Sequence, residues 1–207
     1  MSEYEEPDLE IAERSSDSLS RPKSAAKSLR DWIIVVVVAL FAALMIRVFV
    51  FQQFYISGPS MQTTLYDNNR VLVNKLSYKL HGIGRGDVVV FDRVTTSGGT
   101  VNHDDLIKRV IALGGDTLEI KKCVVILNGV ALEEKYLDAQ DVAQVDLNSR
   151  CRVANLAEQI IPKGKIFVMG DNRSESFDSR MFGPIDEDLV VGRAFMIVWP
   201  LNRLGLL

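Results

Sequence analysis

The run WIIVVVVALFAALMIRVFVF, residues 32–51, constrains this chain more than any other segment, because only Arg47 interrupts its apolar character. At about 1.5 Å rise per residue a helix of this length spans roughly 30 Å, the thickness of a bilayer's hydrocarbon core. A cleaved export signal would carry an apolar region of only roughly 7 to 15 residues, followed by a small-x-small cut site. The run is longer, and the residues after it do not show that pattern, so an uncleaved transmembrane helix is expected in preference to a buried helix of a soluble protein. Arg47 lies near the far end, where its long stem carries the charge to the interface. Arg21, Lys23, Lys27 and Arg30 precede the run with no acid among them. Such a basic flank keeps the N-terminus in the cytoplasm and puts the rest of the chain outside.

Three segments follow. Residues 1–31 begin with Glu3, Glu5, Glu6, Asp8, Glu10, Glu13 and Asp17 and read as a disordered cytoplasmic tail, too polar to bury a core. Residues 32–51 form the anchor, and 52–207 form one extracytoplasmic domain. A formal net charge of −3 argues against neutralising nucleic-acid phosphates, so no nucleic-acid partner is expected. Cys123 and Cys151 both fall in the exported portion. An oxidising compartment permits a bridge between them, with two half-buried thiols as the alternative.

Beyond the anchor, short runs rich in β-branched residues alternate with glycine turns. Strands are expected at 70–75, 87–92, 106–113, 117–122, 123–127, 165–169 and 193–199. Asn128-Gly129 reads as a hairpin turn, since both central residues of that turn take positive φ. The segment 95–104 reads as a mobile surface loop, and 138–159 as an excursion from the main sheets. The fold class is therefore mainly β, an antiparallel sandwich or barrel-like domain behind one N-terminal transmembrane helix.

The chemistry concentrates in Ser60, Lys108 and the polar run GDNRSESFDSR at 170–180. A serine attacks a carbonyl only if a base removes its proton, and lysine serves as base only when burial lowers its pKa. Lys108 shares its strand face with Leu106 and Val110, so the pleat turns its ammonium toward aliphatic groups; an edge position with the tip in water is the alternative. His81 and His103 lie in polar, turn-like stretches and read as solvated residues. Two isolated histidines do not make a metal site, and in 170–180 a calcium loop fails because Arg173 would stand at a ligand position and Ser176 at the obligatory glycine.

Together, the anchor, SGPSMQTTL, GDVVVF, IKRVIALGGD and GDNRSESFDSR resemble, in order, bacterial signal peptidase I, a membrane-bound leader peptidase with a Ser/Lys dyad. The resemblance runs from Arg30 onward. It implies Ser60 as nucleophile, Lys108 as general base, Ser176 as the serine that hydrogen-bonds the lysine, and Asp178 and Arg180 as an ion pair that holds the site together. It also implies an oxyanion hole from the Ser60 N–H and a group two residues earlier. That position is Gly58, where some relatives carry a serine hydroxyl. A second departure is Thr63, where the family usually has proline.

The same resemblance implies a serine endopeptidase that cuts exported preproteins after small residues at the first and third positions before the cut, without metal or organic cofactor. A substrate strand added to a sheet edge would place alternate side chains in shallow apolar pockets, for which Ile56, Met61, Leu65 and Ile107 are candidates. The lipid bilayer is the second expected partner: Phe49, Phe51, Phe54 and Tyr55 sit where aromatics favour its interface. Two other readings compete. One is a Ser/Lys autoprotease acting on a single partner, and the other a catalytically inactive membrane-tethered β module that binds export machinery.

Overall fold

A computed structural model describes residues 25–137 and 150–207. The chain divides into two units, 1–42 and 43–207. Helix α1, Ala25–Phe49, begins before the apolar run and ends inside it. The expected boundaries at 32 and 51 therefore shift: 25–31 are helical rather than tail, and Phe51 opens a strand that pairs with Asn74. Residues 1–24 of the expected tail lie outside the described residues. The side chains of α1 are described over 29–45, and among the described residues no helix is long and apolar enough to cross a membrane. Trp32, Ile33, Val35, Leu40 and Phe41 of α1 are all exposed.

The second unit is mainly β, built from two antiparallel sheets with no closed barrel. The larger has eight strands: β1 (Phe51–Tyr55), β2 (Arg70–Asn74), β3 (Val88–Ser97), β4 (Thr100–Ala112), β9 (Lys165–Met169), β10 (Ile185–Asp186), β11 (Val190–Trp199) and β12 (Gly205–Leu206). Its order is β1-β2-β11-β3-β4-β9-β10, with β12 also on β11. The smaller holds β5 (Thr117–Lys121), β6 (Val124–Leu127), β7 (Val130–Ala131) and β8 (Leu156–Ile160), in the order β7-β6-β5-β8. Two short helices complete the set, α2 (Ser77–Leu80) and α3 (Ser179–Phe182).

All seven expected strands form, with altered ends. The largest change is at 95–104. Instead of a loop, it is the tip of the β3–β4 hairpin, closed by Gly98 and Gly99 at φ +59° and +82° between the paired Ser97 and Thr100. Both glycines take the positive φ that a two-residue hairpin turn demands. The polar flanks hid the strands because the tip is exposed and has no core to pattern against. The Asn128-Gly129 hairpin forms between β6 and β7. Of the expected excursion, 138–149 lies outside the described residues, while Leu156–Ile160 pairs with β5 as β8. Cys123 and Cys151 are joined, with Cα atoms 5.9 Å apart across 28 residues of sequence.

Candidate active site

Ser60 follows β1 in a tight turn where Gln62 N–H donates to the Pro59 carbonyl at 3.1 Å. The turn is pinned from below by Met61 and Leu65, both fully buried in the cluster with Val71, Val73, Val88 and Val90. Lys108 reaches it from β4. Its Nζ lies 2.9 Å from Ser60 Oγ and donates to the Ile107 carbonyl at 2.8 Å. Only 3% of Lys108 is exposed. Burial, partly opposed by the charges of Asp178 and Asp171, pulls its pKa from 10.5 to about 8. An amine near that value is neutral often enough at mild pH to accept a proton, and here it sits within hydrogen-bond reach of a hydroxyl.

The polar run 170–180 packs over this pair. Asn172 N–H donates to the Ser60 carbonyl at 3.1 Å, fixing the Ser60 backbone. Gly170 lies between Ser60 and Ser176 so closely that a Cβ would collide with the Ser60 carbonyl and the Ser176 hydroxyl. A glycine is therefore obligatory there, a requirement the sequence did not reveal. Asp178 and Arg180 pair inside the loop: Arg180 Nε and Nη2 donate to the two carboxylate oxygens at 2.8 and 2.7 Å, and Gly170 N–H donates to Asp178 Oδ2 at 3.0 Å. Both side chains are essentially inaccessible. Burial alone would raise the Asp178 pKa, but the hydrogen bonds and charge of Arg180 outweigh it and hold the carboxyl below its usual range.

Two further buried pairs escaped sequence reasoning. Arg109 forks onto Asp171 at 2.9 and 2.7 Å, with Thr64 Oγ1 donating to Asp171 Oδ2 at 2.5 Å and the Tyr136 ring 4.0 Å from the guanidinium. Arg173 binds Glu134 and donates from Nε to the Gly170 carbonyl at 3.0 Å. Their partners are 62 and 39 residues apart, so no local pattern announces them. Arg152 N–H, next to the bridged Cys151, donates to the Arg173 carbonyl, which also accepts from Arg180 Nη1. The loop is thus a set of bonded charges that fixes Ser60 from behind.

Several expected roles change. Ser176 is fully buried, but its hydroxyl turns to the Asp178 carboxylate rather than to Lys108, whose second bond goes to the Ile107 carbonyl instead. Strand geometry places that carbonyl one residue away at no entropic cost. The Gly58 N–H is already committed to Asp67 Oδ1 at 2.6 Å, so it is not a free oxyanion donor; the Ser60 N–H has no protein acceptor among the described residues. A cleft of about 120 Å³ opens beside the dyad, lined by Phe54, Tyr55, Ile56, Ser57, Val90, Asp105, Leu106, Ile107 and the dyad itself. Ile56 and Ile107 belong to it as expected. Met61 and Leu65 do not: their side chains point into the core below the turn. His81 is solvated, whereas His103 Nδ1 lies 2.6 Å from Asp92 Oδ2 on the exposed hairpin.

A hydroxyl paired with a buried amine beside a cleft defines a class of site suited to acyl transfer by a serine. The sequence model of signal peptidase, peptidase S26, matches residues 29–199, and this chain belongs to that family. Signal peptidase IB of Staphylococcus aureus (strain Mu50 / ATCC 700699) is 38% identical over 188 residues, covering 86% of this chain and 93% of the relative. The probable signal peptidase I-2 of Synechocystis sp. (strain ATCC 27184 / PCC 6803 / Kazusa) is 35% identical over 171 residues, covering 83% and 73%. A crystal structure of a signal peptidase I from Enterococcus faecalis V583 is 29% identical, covering 54% of this chain and 95% of that one, with a TM-score of 0.41.

Proposed function

We propose that this chain is a membrane-anchored serine endopeptidase that removes N-terminal signal peptides from exported preproteins, with Ser60 as nucleophile and Lys108 as general base. Family membership and the signal peptidases it resembles carry the reaction class. The 2.9 Å contact between Lys108 Nζ, 3% exposed, and Ser60 Oγ carries the residue assignment.

In the cycle, Ser60 Oγ attacks the carbonyl carbon of the scissile peptide while its proton passes to Lys108 Nζ. The lysine gives that proton to the departing amine as the C–N bond breaks, leaving an ester on Ser60. Water then attacks the ester and yields a proton to Lys108, and the Ser60 oxygen leaves and takes the proton back. The Ser60 N–H faces the developing oxyanion. Asp178, Arg180, Ser176, Asp171 and Arg109 position the dyad rather than touch substrate.

The cleft supports a preference for small residues at the first and third positions before the cut, because Ile56 and Ile107 leave only shallow space for alternate side chains of an extended strand. Residues 32–51 anchor the enzyme, with the N-terminus cytoplasmic and 52–207 outside. The apolar surface of α1 supports this, as does the Cys123–Cys151 bridge, which belongs to an oxidising compartment. Sharing a bilayer with the preprotein raises the effective concentration of the scissile bond. The deciding assay is processing of a preprotein in vesicles by Ser60→Ala and Lys108→Ala. Each folded variant should lose about a thousand-fold or more of kcat/KM; near-normal cleavage by either removes the assignment.

A further inference from the structure

The cleft beside the dyad mixes apolar side chains with Ser57, Ser60 and Lys108. Phe54, Ile56, Val90 and Ile107 line it, and Asp105 joins them from β4, two residues before Ile107 and on the same face of the strand. Asp105 is exposed, and among the described residues it has no ion-pair or hydrogen-bond partner. The neighbouring cations are committed elsewhere. His103, the next residue on that face, is held by Asp92; Lys108 is buried against Ser60; Arg93 stacks on the Phe177 and Phe182 rings at 4.8 and 5.4 Å. Directly across the strand pair from Asp105 stands Asp92, a second carboxylate rather than a counter-ion. Asp105 therefore puts an uncompensated negative charge on the cleft wall beside Ile107.

We infer that Asp105 is a specificity-determining residue, selecting preproteins with a basic side chain, and against those with an acidic one, at the fourth and fifth positions before the cut. This rests on the peptidase reading above. The position follows from strand geometry. Asp105 lies three residues from Lys108 along β4, about 10 Å at the usual rise of 3.3 Å per residue. An extended substrate with its scissile carbonyl at Ser60 and its acyl side along the cleft brings its fourth residue level with that carboxylate, and its fifth within reach of a lysine or arginine stem. At a solvent-accessible rim the interaction is modest and screened by salt. Its effect is discrimination between substrates, since attraction for one charge is paired with repulsion of the other.

The test uses the full-length enzyme in vesicles and two peptides identical except for Lys-Lys or Glu-Glu at those positions. The wild type should cut the lysine peptide with kcat/KM about three- to ten-fold above the glutamate peptide at low salt, with the ratio shrinking as salt rises. Asp105→Asn should bring the ratio close to one, and Asp105→Lys should invert it. A ratio that Asp105→Lys leaves unchanged overturns the inference while the peptidase reading stands. Failure of the wild type to cut either peptide or a preprotein overturns the peptidase reading, and this inference with it. A purely structural role for Asp105 would scale both peptides equally and leave the ratio where it began, which counts against selection.

Discussion

The smaller sheet and the part of the larger sheet beside the 170–180 loop differ in the charge they bury. In the smaller sheet, Leu118, Ile120, Val125 and Leu127 alternate inward, and no strand of that sheet buries a charge. Where β4 and β9 meet the 170–180 loop, the interior holds Lys108, Arg109, Asp171, Arg173, Asp178 and Arg180. Burying an ion costs several kcal/mol unless a partner and hydrogen bonds compensate it. Five of these six charges are so compensated. Lys108 is not: its contacts are a hydroxyl and a carbonyl, and its pKa falls accordingly. The difference separates charges paired within the fold from the one charge proposed as the general base.

The sharpest way to break this contrast is to unpair a structural charge. Asp178→Asn leaves the Arg180 guanidinium buried with no counter-ion, and should cost about 3–5 kcal/mol in a denaturant titration. A loss no larger than for an exposed carboxylate would mean that the pair is not structural. Lys108→Met should move stability the other way, by about 3 kcal/mol at pH 7, because a shift from 10.5 to about 8 penalises the folded state. The sign follows from proton counts. Between pH 8 and 10.5 the unfolded chain holds more protons, so wild-type stability climbs with pH there and the advantage of the methionine fades. Over the same residue, wild-type kcat/KM should rise with pH toward a plateau above about 8; a flat profile would remove Lys108 as the base.

Smaller effects sharpen the comparison from the other side. Ile120→Val in the small sheet should cost about 1 kcal/mol, as a lost methylene does, and leave both kcat/KM and its pH profile unmoved. Thr63→Pro should change least. Its hydroxyl makes one long bond to the Tyr136 carbonyl at 3.3 Å, so the variant should keep its processing activity. Complete loss in a folded protein would show that the segment after Ser60 has been matched wrongly to the family.

What the sequence disclosed divides along the same line. Strands with one buried face, such as β5 and β6, were visible through their alternation, and Ser60 and Lys108 through their settings. Lys108 was conspicuous as a charge on a strand face shared with Leu106 and Val110, a conflict between local rule and global fold that marks functional sites. The Arg109–Asp171 and Arg173–Glu134 pairs were not legible, since each joins segments far apart in the chain. Gly170 did not stand out from its polar run, because its need arises only where the Ser60 carbonyl presses against it. Assigning Met61 and Leu65 to the cleft failed for a related reason: apolar character gives burial, whereas which side of a turn faces substrate depends on β1 and β4 standing beside it.

The bridge between Cys123 and Cys151 also sets how this protein behaves when damaged. A single backbone cut between those two positions would leave amino- and carboxy-terminal pieces in one covalent body. The nicked form would run as an intact chain on a gel until a thiol reagent released the halves. Ser60 and Lys108, both upstream of Cys123, would travel with the first piece, and the 170–180 loop that braces them with the second.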